Sequence, residues 1–226
     1  EDFFEFLGVK TLEEARALDA FYIRDKYAEY RPGHGMFTTV ADGVYLKGDP
    51  MKRIMTNDYN RVPILAGNTE DELFSFIPAT SEEELRAMAE KLFGEDADTF
   101  MAFPEATAKK GENQYAAVSS IEAAVKNVCL QAEANGSPKS YYYRFAPDIP
   151  GWDNPGTFHS VDLWFFFETL AKCWRPFVGR HYDLARQMAN YWANFIKTGD
   201  PNGEDADGSK LPEWRPYTKN DLCEMV

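Results

Sequence analysis

An α/β fold is what this sequence predicts, and three observations predict it. Val62-Pro-Ile-Leu-Ala66 is a short continuous apolar run, which suits a strand buried on both faces of a parallel sheet. Ser140-Tyr-Tyr-Tyr-Arg-Phe145 is a second strand, its aromatic residues giving high strand propensity. Between and around these runs lie amphipathic stretches with helix start and stop residues, the alternation typical of α/β architecture. Two or three convincing strands are few for a self-sufficient parallel sheet, so part of the sheet is expected to lie elsewhere.

Thr11-Leu-Glu-Glu14 is a capping box, and Leu12, Ala15, Leu18 and Phe21/Tyr22 follow at helical spacing. Arg31-Pro-Gly-His-Gly35 is expected to break that helix, and Thr39 to Pro50 to form turns with short strands. Gly67 closes the apolar run of the first strand. Ser81-Glu-Glu-Glu84 is a second capping box, opening a helix through Leu85, Met88 and Leu92 toward Gly94. From about Gln114 to Ala134, Val118, Ile121, Val125, Val128, Cys129 and Ala132 line one helical face. Asn135-Gly136 stops that helix in the left-handed conformation. After the second strand, a Pro- and Gly-rich loop from Pro147 to Gly156 leads to His159. A last long helix carries Leu184, Met188, Tyr191/Trp192 and Phe195 and ends at Gly199-Asp-Pro201.

With 226 residues and 44% hydrophobic content, the chain can build one large core or two small ones. The net charge of −13 argues against a nucleic-acid partner. No apolar run reaches the roughly 18 residues of a membrane span. Cys129, Cys173 and Cys223 are odd in number and lack Cys-x-x-Cys spacing, which argues against a disulfide framework or zinc knuckle. His34 and His181 lack metal-ligand spacing to any partner, so no metal and no cofactor is expected. No signal peptide is visible at Glu1-Asp-Phe-Phe-Glu-Phe6, and the compartment stays open.

Two runs carry chemistry. Gly156-Thr-Phe-His-Ser160 delivers His159 on a loop after a strand, where an imidazole titrating near neutral pH can serve as general base. The alternative is a structural histidine. Gly67-Asn-Thr-Glu-Asp-Glu72 follows the first strand, and Glu72 there can accept the imidazole N–H and stabilise the imidazolium. The alternative is an acidic helix start complementing the dipole. A serine nucleophile is missing: Ser75, Ser81, Ser119, Ser120, Ser137, Ser140, Ser160 and Ser209 all lack the Gly-x-Ser-x-Gly elbow.

The series Val40-Ala-Asp-Gly43, Val62-Pro-Ile-Leu-Ala-Gly67 with Asp71-Glu72, Gly156-Thr-Phe-His-Ser160 with Asp162-Leu163, Trp192 and Phe195, Thr198-Gly-Asp-Pro-Asn202 and Trp214-Arg-Pro-Tyr217 resembles the C-terminal half of type-B carboxylesterases. This is the cholinesterase-like group that includes para-nitrobenzyl esterases. The resemblance implies the C-terminal part of an α/β-hydrolase fold over residues 1–226. It places a helical cap or regulatory region at about 1–60 and 78–135, and a sheet-and-helix core at 61–77 and 136–226. It implies Glu72 as triad acid, His159 as triad base and Asp162 as a carboxylate supporting the base, Asp162 being equally readable as an N-cap for the helix at Leu163. Trp164, Phe165, Phe166 and Phe167 line the ester pockets or simply pack the core.

Family members commonly carry Gly after the acid; Leu73 stands there in this chain, which leaves Asp71 as the other candidate acid. The resemblance implies a carboxylic ester hydrolase whose nucleophile Ser and oxyanion hole lie in an N-terminal half, the partner of this chain, with a small carboxylic ester as substrate. The isolated chain is then expected to be inactive and unstable alone. The rival reading is a cholinesterase-like binding or adhesion module, or an inactive fragment.

Overall fold

Period-two alternation along Ser140–Phe145 decides which side chains meet which helix. The computed structural model describes residues 2–35, 37, 39–72, 79–102 and 119–226. It divides into two compact units, Glu1–Pro50 and Met51–Val226.

In the first unit the helices are α1 (Asp2–Leu7), α2 (Leu12–Ala17) and α3 (Ala20–His34). The expected single helix after Thr11 is two helices. Leu18 is extended, and the Asp19 carboxylate accepts the N–H groups of Phe21 and Tyr22 at 2.9 and 3.1 Å, starting a new helix. The run Arg31–Gly35 ends α3 as expected, at Gly35 rather than at Pro32: Pro32 lies inside the last turn, where Gly35 N–H reaches the Arg31 carbonyl at 2.8 Å and the His34 ring stacks on Tyr30 at 3.7 Å. Phe3, Tyr27, Tyr30 and Phe37 form an aromatic cluster in this unit, the Phe3 and Tyr30 ring centres lying 5.0 Å apart. The short strands expected between Thr39 and Pro50 are not formed among the described residues. The Asp42 carboxylate takes the N–H groups of Val44, Tyr45 and Leu46, which curls the backbone instead.

The second unit runs α4 (Pro50–Met55, its first residue closing the first unit), β1 (Ile64–Thr69), α5 (Glu82–Phe93), α6 (Ala97–Met101), α7 (Ser120–Ala134) and β2 (Ser140–Phe145). After these come α8 (Leu163–Phe166), α9 (Gly179–Thr198), and the short strands β3 (Tyr217–Thr218), β4 (Asp221–Leu222) and β5 (Glu224–Met225). β1, β2 and β5 form a parallel sheet in that order, with Ile64 opposite Ser140 and Thr69 opposite Phe145. Gly67 lies inside β1 rather than closing it. A Cβ there would run into the Tyr143 carbonyl and ring, so only Gly lets the two strands approach.

Tyr141, Tyr143 and Phe145 point to the α9 side, packing with Phe195, Trp192 and Phe165 respectively. Tyr142 points to the α7 side with Cys129, Val125 and Tyr217. Helix ends follow local chemistry. Ser81 Oγ accepts from Glu84 N–H at 3.1 Å, while the Glu84 carboxylate reaches back to Thr80 rather than to Ser81 itself. Gly136, at φ 69°, stops α7, and Gly199, at φ 76°, stops α9. The expected first turns of α7, from Gln114 to Val118, and Leu73 lie outside the described residues.

Burial between α7 and the sheet pushes the Cys129 thiol up to about 11. At pH 8 roughly one such thiol in a thousand is the reactive thiolate. Alkylation of the folded protein at pH 8 is therefore expected to reach Cys173 and Cys223, both partly exposed, at least about 100-fold faster than Cys129. Equal rates would mean that the interface between α7 and the sheet opens freely.

Candidate active site

Glu72 lies just past the end of β1, and His159 and Asp162 lie on the loop between β2 and α8. The ladder between β1 and β2 continues one step past β1, where Glu70 N–H donates to the Phe145 carbonyl at 2.9 Å. Asp71 then leaves β2 and pairs with the second loop, its N–H donating to the Thr157 carbonyl at 3.0 Å, in a parallel bridge with Phe158. This switch carries Glu72 alongside His159, 87 residues further along the chain.

His159 Nδ1–H donates to Glu72 Oε1. The Glu72 side chain is 5% exposed and that of His159 47%. The carboxylate is thus enclosed on the protein side while the imidazole edge faces outward. Glu72 Oε2 accepts from the Thr69 hydroxyl at 3.2 Å and the Thr69 N–H at 3.3 Å, which holds the carboxylate by its far oxygen. Thr69 is itself buried, and its carbonyl accepts from the side-chain amide of buried Asn68, so the support rests on the sheet.

Of the two carboxylates that the sequence leaves open as acid, Glu72 is the one bonded to the imidazole. The Asp71 carboxylate accepts the N–H of Thr157 at 2.6 Å. Asp162 is buried and does not cap α8 with its side chain; the Tyr143 hydroxyl donates to its Oδ2 at 3.0 Å. Burial raises the Asp162 carboxyl above its ordinary value, with a smaller upward push from Glu72, while the Tyr143 hydrogen bond opposes both. Burial likewise raises the Tyr143 phenol, reinforced by the negative charges of Asp162 and Glu72. Tyr143 connects the strand core to the site, and residue patterns alone gave no sign of it.

Other side chains hold the base loop. Arg175 is nearly buried and pairs through two nitrogens with the Asp153 carboxylate, both at 2.9 Å, and with the Pro150 carbonyl at 3.1 Å. Its guanidinium lies over the Phe158 ring at 5.4 Å. His181, considered above only as a metal ligand, is buried at the start of α9. Its Nδ1 accepts from Val178 N–H at 2.9 Å, which leaves Nε2–H for the Asp148 carbonyl at 3.3 Å. The aromatic run after the base divides. Phe165 is fully buried against Phe145 and Phe177, whereas Phe167 is 72% exposed. Among the described residues no group of three or more His, Cys, Asp or Glu could hold a metal ion, and no helix is long and apolar enough to cross a membrane. A cleft of about 510 Å³ lies between α9 and the sheet, lined by Tyr143, Leu184, Met188 and Trp192 but by neither Glu72 nor His159.

Residues 105–225 match the model of the family described as carboxylesterase. The chain is 24% identical over 228 residues to the liver carboxylesterase of Sus scrofa, covering 89% of this chain and 39% of that protein. It is 22% identical over 239 residues to carboxylesterase 1E of Rattus norvegicus, covering 94% of this chain and 41% of the other. The chain thus spans about two fifths of the length of these curated relatives. Among solved structures, a thermophilic PNB esterase superposes with a TM-score of 0.68 at 20% identity, covering 96% of this chain and 47% of its own. An esterase from anaerobic Clostridium hathewayi, described as able to hydrolyse aliphatic aromatic polyesters, superposes at 0.61 with 21% identity, covering 99% and 46%.

Proposed function

The chain belongs to the carboxylesterase family and carries part of an α/β-hydrolase fold, and from that premise we propose that it supplies the acid and base of a serine esterase. The observation that carries this reading is the hydrogen bond from His159 Nδ1–H to Glu72, the carboxylate enclosed and the imidazole edge outward. A proton held on Nδ1 leaves the Nε2 lone pair free to act as base.

In this mechanism Nε2 takes the hydroxyl proton of a serine as its Oγ attacks the ester carbonyl carbon. The imidazolium then donates that proton to the departing alkoxide, leaving an acyl-serine and a free alcohol. Water attacks the acyl carbon with its proton passing to Nε2, and that proton returns to the serine as the acid product leaves. Glu72 offsets the imidazolium charge in both halves of the cycle. Asp162, held by the Tyr143 hydroxyl and three residues past the base on the same loop, is assigned a supporting role.

None of the eight serines lies in a Gly-x-Ser-x-Gly elbow. The reading therefore assigns the nucleophile and the oxyanion-hole donors to a segment outside these residues, and the substrate to the class of carboxylic esters. The full-length protein is expected to hydrolyse short-chain aryl esters and to react with a fluorophosphonate probe at a serine beyond these 226 residues. A folded full-length protein without ester turnover would sink the esterase reading. Probe attached to one of the eight serines here would sink the placement of the nucleophile.

A further inference from the structure

The Glu72–His159 pair bridges two loops that are far apart in sequence, and His159 is half exposed, so core packing does not hold it in place. Something else must set the register of the loops. The residue just before Glu72 is tied to the residue two before His159 by both its backbone and its side chain. Asp71 N–H donates to the Thr157 carbonyl at 3.0 Å, and Thr157 N–H donates to Asp71 Oδ2 at 2.6 Å. The Thr157 hydroxyl donates to the Pro147 carbonyl at 3.3 Å, anchoring the same point to the exit of β2. Gly156 completes the arrangement. It sits at φ 61°, and a Cβ on it would occupy the space of the Asp71 carboxylate. The carboxylate therefore fills a site that a glycine leaves open for it.

We infer that Asp71 is a positioning residue whose carboxylate, seated over Gly156 on the Thr157 amide, registers the acid loop against the base loop. A charge-assisted bond to a backbone N–H is short and directional, so it fixes the loops more tightly than the backbone bond alone. Misplacing a catalytic group by about 1 Å can cost roughly 100-fold in rate. The Oδ1 of an asparagine would accept the same N–H, so the role needs an acceptor at this place and not a charge.

The activity arm of the test rests on the esterase reading above; the exchange arm does not. In the full-length protein, Asp71→Ala is expected to lower kcat by about 100-fold with KM changing less than about threefold. Amide hydrogen exchange at Thr157 should accelerate at least about tenfold. Asp71→Asn should restore exchange protection and bring kcat to within about tenfold of the parent protein. If Asp71→Ala fails to fold, Gly156→Ala displaces the same carboxylate from the other side and should give the same pair of changes. Unchanged Thr157 exchange in Asp71→Ala overturns the inference, as does a kcat equal to the parent's. So does an Asp71→Asn variant as slow as Asp71→Ala with Thr157 still protected, because the charge would then be what matters. A parent protein that lacks ester turnover counts against the esterase reading, while Thr157 exchange still decides the clamp.

Discussion

His159→Ala in the full-length protein is expected to lower turnover of short-chain aryl esters by about 10⁴- to 10⁶-fold while leaving the unfolding transition in place. The kinetic loss follows from the proposed chemistry. Without the imidazole, no group among the described site residues can take the serine proton at neutral pH and return it to the alkoxide. The structural tolerance follows from geometry. The His159 side chain is 47% exposed, and its partner Glu72 keeps the Thr69 hydroxyl and N–H as donors after the ring is removed. Exposed positions of this kind usually change stability by about 0.5 kcal/mol or less. Steady-state rates and a urea melt on the same preparation check both halves. A variant retaining a tenth of the parent rate would remove His159 from the mechanism, and a collapsed melt would make it a structural histidine.

Glu72→Gln should slow turnover by about 10³- to 10⁴-fold. Glu72 serves two sets of donors at once: Oε1 accepts from His159 Nδ1–H, and Oε2 accepts from Thr69. A glutamine has one acceptor oxygen. Keeping it on Thr69 turns the NH₂ toward His159, which then holds its proton on Nε2 and can no longer act as base. Keeping it on His159 sets the NH₂ against the Thr69 N–H, leaving donors facing donors in an enclosed site. Asp71→Asn, by contrast, is expected to stay within about tenfold of the parent. kcat measured for both variants across pH 5–9 distinguishes the two carboxylates. If Asp71→Asn loses the activity and Glu72→Gln keeps it, the acid lies one residue earlier.

Much of the architecture was legible in the residues. The strand Ser140–Phe145, the helix caps at Thr11 and Ser81, and the stops at Gly136 and Gly199 coincide with the structure because each depends on neighbours a few positions away. The misreadings have nonlocal or side-chain causes. Gly67 reads as a terminator, yet it lies inside β1 because Tyr143 of the neighbouring strand fills its Cβ space. The loop from Thr39 to Pro50 suggested strands, but the Asp42 side chain holds three successive backbone donors.

The sequence by itself determined the α/β class, the family resemblance and the short set of titratable groups worth testing, since hydrophobic period, caps and motif order are written along the chain. Only the tertiary structure decided that Glu72 rather than Asp71 meets His159, that Asp71 instead ties Thr157, and that Tyr143 reaches Asp162. Those partners lie 19 to 87 residues apart. Adjacent carboxylates have the same chemistry, and their roles differ through the direction each side chain takes at the end of β1. That direction is set when the first loop leaves β2 to pair with the second.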